Sequence, residues 1–151
     1  LNVAGQVIGI NTAMAQGAEN IGFAIPINEV KDTINDVKEH GRIVRPRLGV
    51  RYVMLTESIV KENNLPVDHG ALLTRGETRT QLAVIPGSPA DKAGLEENDI
   101  ILEADGEELS QDNTLAHIIG QRDPGDKLEL KVWHDGGTKT VTVELDEMPQ
   151  Q

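Results

Sequence analysis

The sequence predicts a mainly β protein of the α+β class, with a small, largely antiparallel sheet or partial barrel and two helices. Apolar and polar residues alternate over 128–132 and again over 141–145, the period of half-buried strands. The turn dipeptides Asp105-Gly106 and Asp135-Gly136 separate such segments. Strands and helices do not alternate regularly, which argues against a doubly wound parallel sheet.

The first part of the chain predicts two strands and a helix. Strands are expected over 6–12 and 21–25, with a loop at 16–20 and a stop at Pro26. Apolar residues recur at helical spacing over 28–40, where Asn28 is the expected N-cap. Two strands alone form no independent core, so this piece must belong to a larger sheet or pack on another body.

Three regions are predicted: a first domain over 1–41, a second over 42–147, and a frayed tail over 148–151. In the second domain, a strand over 48–54 precedes a short helix capped by Thr56. Further strands are expected over 71–74 and 82–85, and the polar segment 75–81 between them indicates a hairpin tip. A later helix is expected to begin at Ser110 or Asp112.

The most informative stretch is 84–102, where every local signal agrees. Ser88 is a good N-cap, Pro89 suits the first helical position, and Gly94 suits the left-handed conformation that ends a helix. A buried strand is expected to follow at 100–102. The unit therefore predicts strand, tight turn, short helix, turn and strand.

Composition excludes several classes of function. The net charge of −11 and an aromatic set limited to Phe23, Tyr52 and Trp133 argue against nucleic-acid binding. The absence of cysteine excludes disulfides and thiolate metal sites. Nine acidic residues lie over 91–112, but their spacing matches no EF-hand loop, so a solvated acidic face is favoured over a calcium site. We therefore expect neither a cofactor nor a metal.

Nucleophilic catalysis finds no support in the sequence. The three serines are Ser58, Ser88 and Ser110, and the last two stand in helix-capping contexts. A catalytic triad needs a nucleophile, a base and a carboxylate in mutual contact. No histidine of this sequence lies in a recognisable base motif. No catalytic residue is therefore predicted in this chain.

The stretch 84–102 resembles the signature segment of PDZ domains in HtrA-type (Do-like) serine proteases. Residues 1–13 and 21–26 are similar to the end of the trypsin-like protease domain of the same family. The resemblance implies that the chain carries the last two strands and C-terminal helix of that domain, and that the catalytic serine lies just before Leu1. It implies a parent serine endopeptidase of protein quality control, and we expect these 151 residues alone to be inactive.

The resemblance also implies two sets of site residues. Those of the protease substrate pocket are Ile10, Asn11, Thr12 and Gly22. Those of the PDZ peptide-binding face are Arg47, Leu48, Gly49, Val50, Arg51, Tyr52, Leu115, Ile118 and Ile119. The segment 47–50 would bind a peptide carboxylate through backbone N–H groups, and the following strand would offer its edge to the peptide. The four arginines over 42–51 are either a steering patch or solvated linker residues.

Partners and location also follow from the resemblance. It implies unfolded or C-terminal peptide substrates, contact with the rest of the protease domain, a trimer-based homo-oligomer, and the bacterial cell envelope. A stand-alone PDZ scaffold is the main alternative, but residues 1–41 argue against it because a free PDZ domain has no use for them. A protease-family chaperone whose upstream triad has decayed is a third.

Overall fold

The computed structural model describes residues 1–14, 22–78 and 80–149. The chain divides into two compact units, Leu1–Val44 and Arg45–Gln151. The loop predicted at 16–20 lies outside the described residues. No described helix is long and apolar enough to cross a membrane.

The first unit is a two-stranded antiparallel sheet followed by a helix: β1 (Gly9–Met14), β2 (Gly22–Pro26) and α1 (Ile27–His40). The expected N-cap at Asn28 is wrong, because α1 begins one residue earlier and Pro26 occupies the cap position. The Ile27 N–H donates to the Ile8 carbonyl at 3.0 Å, so the hairpin itself satisfies this helix-end amide.

Apolar side chains of the first unit remain largely exposed. Ile8, Ile10 and Phe23 on the hairpin are 58%, 45% and 58% exposed, and Ile34 and Val37 on α1 are 42% and 46% exposed. Such a surface on so small a unit is typical of a piece that packs on a further body.

The described residues of the second unit form one main sheet, a two-stranded ribbon and three short helices. Its elements are β3 (Pro46–Arg47), β4 (Tyr52–Met54), α2 (Glu57–Asn63), β5 (Ala71–Leu73), α3 (Pro89–Lys92), β6 (Ile100–Ala104), β7 (Glu107–Glu108), α4 (Leu115–Gly120), β8 (Lys127–His134), β9 (Gly137–Glu144) and β10 (Asp146–Glu147). The antiparallel sheet runs β4-β5-β6-β8-β9, with β7 on β6, and β10 pairs with β3. The predicted class is confirmed; among the described residues the sheet does not close into a barrel, and the unit has a third helix.

Alternating strands supply the core of this unit. In β8, Leu128, Leu130 and Val132 are fully buried while the intervening charged residues are exposed. They pack with Leu73, with Ile101 and with the helix residues Leu115 and Ile118. Burying an aliphatic side chain contributes about 1.5–3 kcal/mol, so this alternation fixes which face of the sheet is covered.

The helix caps show where the local sequence is enough to predict the start of a helix and where it is not. The Thr56 and Ser88 hydroxyls cap α2 and α3 as predicted, and Pro89 is the first residue of α3. The start of α4 at Ser110 or Asp112 is wrong, because the cap is Thr114, whose hydroxyl accepts from the His117 N–H at 3.3 Å.

The hairpin predicted at 71–85 does not form. Of its two strands, only β5 is present, and segment 82–85 pairs elsewhere: Val84 forms an antiparallel bridge with Val50. The Arg51 N–H donates to the Ala83 carbonyl at 2.7 Å, and the Arg51 carbonyl accepts from the Thr74 N–H at 3.1 Å. Thr74 and Ala83, which flank segment 75–82, therefore both pair with Arg51 of a third segment and not with each other.

Within the described residues 75–78 and 80–82, the two ends of this segment are bonded to each other. The Gly76 N–H donates to the Gln81 carbonyl at 2.8 Å. The Arg75 guanidinium forms a two-pronged ion pair with Glu97, one arm of which is a 2.6 Å bond from Nε to Oε1. This pair lowers the pKa of the Glu97 carboxyl, chiefly through the hydrogen bond from Arg75.

Candidate functional site

The residues expected to bind peptide come from three neighbouring elements: the segment 47–50, strand β4 and helix α4. Leu48 is 2% exposed and belongs to the core, and its carbonyl accepts from the Ala90 N–H at 3.0 Å. The Gly49 carbonyl accepts from the Ile85 N–H at 2.9 Å. The segment 47–50 is therefore fixed from beneath by the start of α3 and the turn before it.

Gly49 is required by both conformation and space. Its φ of +85° lies in the left-handed region that side chains disfavour. A Cβ atom at this position would lie 2.2 Å from Ser88 Cβ and 2.6 Å from Ser88 Oγ. Ser88 itself is fully buried, with its hydroxyl directed at the Gly49 carbonyl at 3.4 Å.

Three consecutive amides in this segment lack an internal acceptor. Among the described residues, no carbonyl or side chain accepts a hydrogen bond from the N–H groups of Leu48, Gly49 or Val50. Unpaired amides in a buried or half-buried segment are rare in folded proteins. Successive N–H groups of this kind form a typical site for an anion such as a carboxylate.

Strand β4 lies at the edge of the main sheet. Its inner side is paired, because Arg51 bonds with Thr74 and the Leu55 N–H donates to the Gly70 carbonyl at 2.9 Å. Since backbone groups alternate along a strand, the N–H and C=O groups of Tyr52 and Met54 point to the open side. The edge can therefore accept a further antiparallel strand.

Helix α4 provides the second wall. Leu115 and Ile118 are buried in the core, and Ile119 is half-buried against it. The walls are joined at one end, where the Ala116 N–H donates to the Tyr52 hydroxyl at 3.1 Å. We call the space between β4 and α4 the β4–α4 groove. Tyr52 therefore fixes the spacing of its two walls.

Removing this hydroxyl should loosen the groove without unfolding the domain. We expect Tyr52→Phe to lower the free energy of unfolding by about 0.5–1 kcal/mol, because water can replace one exposed hydrogen bond. Amide hydrogen exchange at Ala116 should become faster, while exchange in β8 should not change. Unchanged exchange at Ala116 would show that the hydroxyl does not hold the helix.

The predicted arginines occupy different environments. The Arg47 guanidinium is half-buried, with Nη2 3.9 Å from the Asp146 carboxylate, and its Nε has no hydrogen-bond partner among the described residues. The Arg51 side chain is exposed. Arg47 is therefore the better placed of the two to add positive charge beside the 47–50 segment.

The expected protease-pocket residues lie on the hairpin of the first unit. Ile10 and Asn11 lie opposite Ile25 and Ala24, and Thr12 lies at a break in register where its hydroxyl donates to the Phe23 carbonyl at 3.2 Å. Ile10, Asn11 and Thr12 are exposed. Gly22 begins β2 and pairs with Met14. Their assignment to a substrate pocket stays a prediction.

No catalytic or metal centre is found in the described part of the chain. The Ser88 hydroxyl caps α3, and the Ser110 hydroxyl accepts from the Asn113 N–H at 3.1 Å. Among the described side chains no serine is hydrogen-bonded to a histidine, and no cluster of three or more potential metal ligands occurs.

One polar pair was not predicted from the sequence. His134 Nδ1 lies 2.5 Å from Asp99 Oδ1, and Asp99 is 3% exposed. Asp99 Oδ2 accepts from the Glu96 N–H at 3.0 Å. The hydrogen bond to Asp99 and its charge raise the pKa of His134, against smaller opposing effects of desolvation and of the charge of Lys139.

These elements define a PDZ domain. The PDZ domain family model matches residues 46–145, and the chain belongs to this family. The chain is also similar to HtrA-type proteases, as the sequence motifs predicted. A probable periplasmic serine endoprotease DegP-like from Hahella chejuensis is 34% identical over 98% of this chain and 30% of its own length. The periplasmic pH-dependent serine endoprotease DegQ of Escherichia coli is 35% identical over 97% and 31%.

Solved structures agree with this relationship. The HtrA-type protease AlgW with decapeptide superposes with a TM-score of 0.81 at 30% identity, over 98% of this chain and 44% of that one. The chain therefore spans less than half of each of these relatives. Several relatives are named periplasmic, in agreement with the expected envelope location.

Proposed function

We propose that the second unit binds the C-terminal end of an extended peptide in the β4–α4 groove. The peptide would add to the open edge of β4, and its carboxylate would accept from the amides of Leu48, Gly49 and Val50. The observation that carries the proposal is this row of unpaired amides at the end of an open strand edge. The half-buried Ile119 supplies apolar surface for the side chains of the peptide.

We further infer that the chain is part of an HtrA-type serine endopeptidase of the bacterial envelope. The DegP-like, DegQ and AlgW relatives support this inference, since each matches nearly the whole chain, including the first unit. The exposed apolar surface of the first unit would then pack on the rest of a protease domain. Substrates would be unfolded or C-terminal peptides, and a trimer-based assembly remains part of the proposal. A stand-alone PDZ scaffold leaves the first unit unexplained.

Peptide titration tests the groove. A labelled peptide that ends in Val-Ala-Val should bind with a free carboxylate and lose at least tenfold in affinity when amidated, because charged hydrogen bonds are lost. Ile119→Glu should weaken binding by a similar factor, while His117→Glu on the exposed side of the same helix should not. Equal affinity of the free and amidated peptides would refute carboxylate binding.

A further inference from the structure

Tyr52 crosses the β4–α4 groove from one wall to the other. In the pairing of β4 with β5 it lies opposite Leu73, which is fully buried in the core, so the two side chains share the face of the sheet on which α4 packs. The flanking residues Arg51 and Val53 are exposed on the opposite face. From the core face the Tyr52 ring extends to the start of α4, where its hydroxyl accepts from the Ala116 N–H at 3.1 Å.

The start of α4 gives the Tyr52 hydroxyl a defined partner. The first amides of a helix have no acceptor within the helix itself, so they bind other groups. Here the Thr114 hydroxyl accepts from the His117 N–H, and the Tyr52 hydroxyl accepts from the Ala116 N–H. The ring is thereby held at both ends, by the backbone of β4 and by the hydrogen bond to α4. It is a fixed part of the groove and not a freely rotating side chain.

A peptide whose carboxylate binds the amides of residues 48–50 meets this ring at one position only. Its last residue lies beside Val50, and antiparallel pairing then places the third residue from its C-terminus opposite Tyr52. Residues directly opposite each other carry their side chains on the same face, so this third side chain and the Tyr52 ring need the same space between β4 and α4. The second residue from the C-terminus points to the other face, with Arg51 and Val53.

We propose that Tyr52, held by its hydrogen bond to Ala116, limits the size of the third residue from the C-terminus of the bound peptide. The inference rests on the proposed function of the β4–α4 groove and names the class of peptide that the groove accepts. Side chains from glycine to valine in size fit beside the fixed ring. An aromatic side chain either overpacks the groove or displaces the ring from Ala116, and both weaken binding.

Matched peptides measure this size limit by fluorescence anisotropy. Labelled peptides that end in Ala-Ala-Val and Phe-Ala-Val differ only at the third position, and the unchanged chain should bind the first more tightly by about tenfold or more. Tyr52→Ala empties the space, so the ratio of the two affinities should fall to about twofold or less. A peptide that ends in Ala-Phe-Val carries its aromatic ring on the other face and should bind the unchanged chain within about twofold of Ala-Ala-Val.

Two further variants separate the fixed ring from the rest of the groove. Tyr52→Phe keeps the ring but removes the hydrogen bond to Ala116, so the ring can turn aside and the ratio should fall part of the way. Met54→Ala is the matched control, because Met54 is half-buried and lies two residues further along β4, away from the third peptide residue. This variant should leave the ratio unchanged. Circular dichroism verifies that each variant is folded, and Tyr52→Phe alone decides if Tyr52→Ala does not fold.

The outcomes separate the size limit from the groove itself. If the unchanged chain binds the Ala-Ala-Val and Phe-Ala-Val peptides equally, and amidation weakens both, the size limit is refuted and the groove stands. An unchanged ratio in Tyr52→Phe, or a loss of the ratio in Met54→Ala, would also refute the role of Tyr52. If neither peptide binds in a way that depends on its carboxylate, the proposed function fails, and the size limit fails with it.

Discussion

Gly49→Ala is expected to lower the free energy of unfolding by about 3 kcal/mol or more. The left-handed backbone at φ +85° costs an L-residue about 1–2 kcal/mol. The remainder comes from the overlap with Ser88, which is buried, caps α3 and cannot move away freely. Any relief must shift either the 47–50 segment or the start of α3. Urea denaturation measures the loss, and peptide affinity should fall with it.

Gly87→Ala is the matched control for this variant. Gly87 has φ +76°, but a Cβ there would meet no atom within 4 Å. It should therefore show only the conformational cost of about 1–2 kcal/mol. If the two alanine variants are equally stable, the close approach of Gly49 to Ser88 does not constrain the domain.

The parts of the fold that were predicted correctly have local causes. The strict alternation in β8 and the Asp135-Gly136 turn, with φ of +45° and +86°, specify the β8–β9 hairpin within a short stretch of chain. Ser88 and Pro89 specify the start of α3 in the same way. These signals do not depend on a distant part of the chain, so the local sequence is enough to predict both elements.

The errors arose where the structure depends on distant partners or on competing local signals. Segment 82–85 has the apolar character of a strand, but pairing with 49–51 competes with hairpin formation and prevails. At α4, Ser110, Asp112 and Thr114 are all good caps, and only Thr114 directly precedes the buried Leu115. The local sequence cannot decide between two possible strand partners, or between several residues that are all good helix caps.

The candidate groove was predictable in outline but not in its polar contacts. The resemblance to HtrA-type PDZ domains indicated segment 47–50 and α4. The hydrogen bond between Tyr52 and Ala116 joins residues that are 64 positions apart in the sequence, and Asp99 and His134 are 35 positions apart. A tyrosine or histidine in an alternating strand gives no signal for such a partner, since the same pattern describes an ordinary half-buried side chain.

The Asp99–His134 pair should make stability depend on pH. The folded-state pKa of His134 is raised, so the stabilisation is complete below the unfolded-state value of about 6.5 and is lost as pH rises through the folded-state value. Asp99→Asn removes the charge that favours the imidazolium but keeps an acceptor for Glu96. We expect it to lower the melting temperature by about 5–10 °C near pH 5.5. Near pH 9 the effect should be much smaller.

Asp105→Asn is the control for this pH dependence, because Asp105, like Asp99, accepts from a backbone N–H and pairs with a basic side chain. Its Oδ1 accepts from the Glu129 N–H at 2.8 Å, and its Oδ2 lies 2.5 Å from the Arg122 guanidinium. Arginine stays charged over this range, so the cost of Asp105→Asn should not vary with pH. Asp135, 3.7 Å from His134 Nε2, remains in both variants and cannot produce the difference. A pH-independent cost of Asp99→Asn would mean that His134 does not titrate against Asp99.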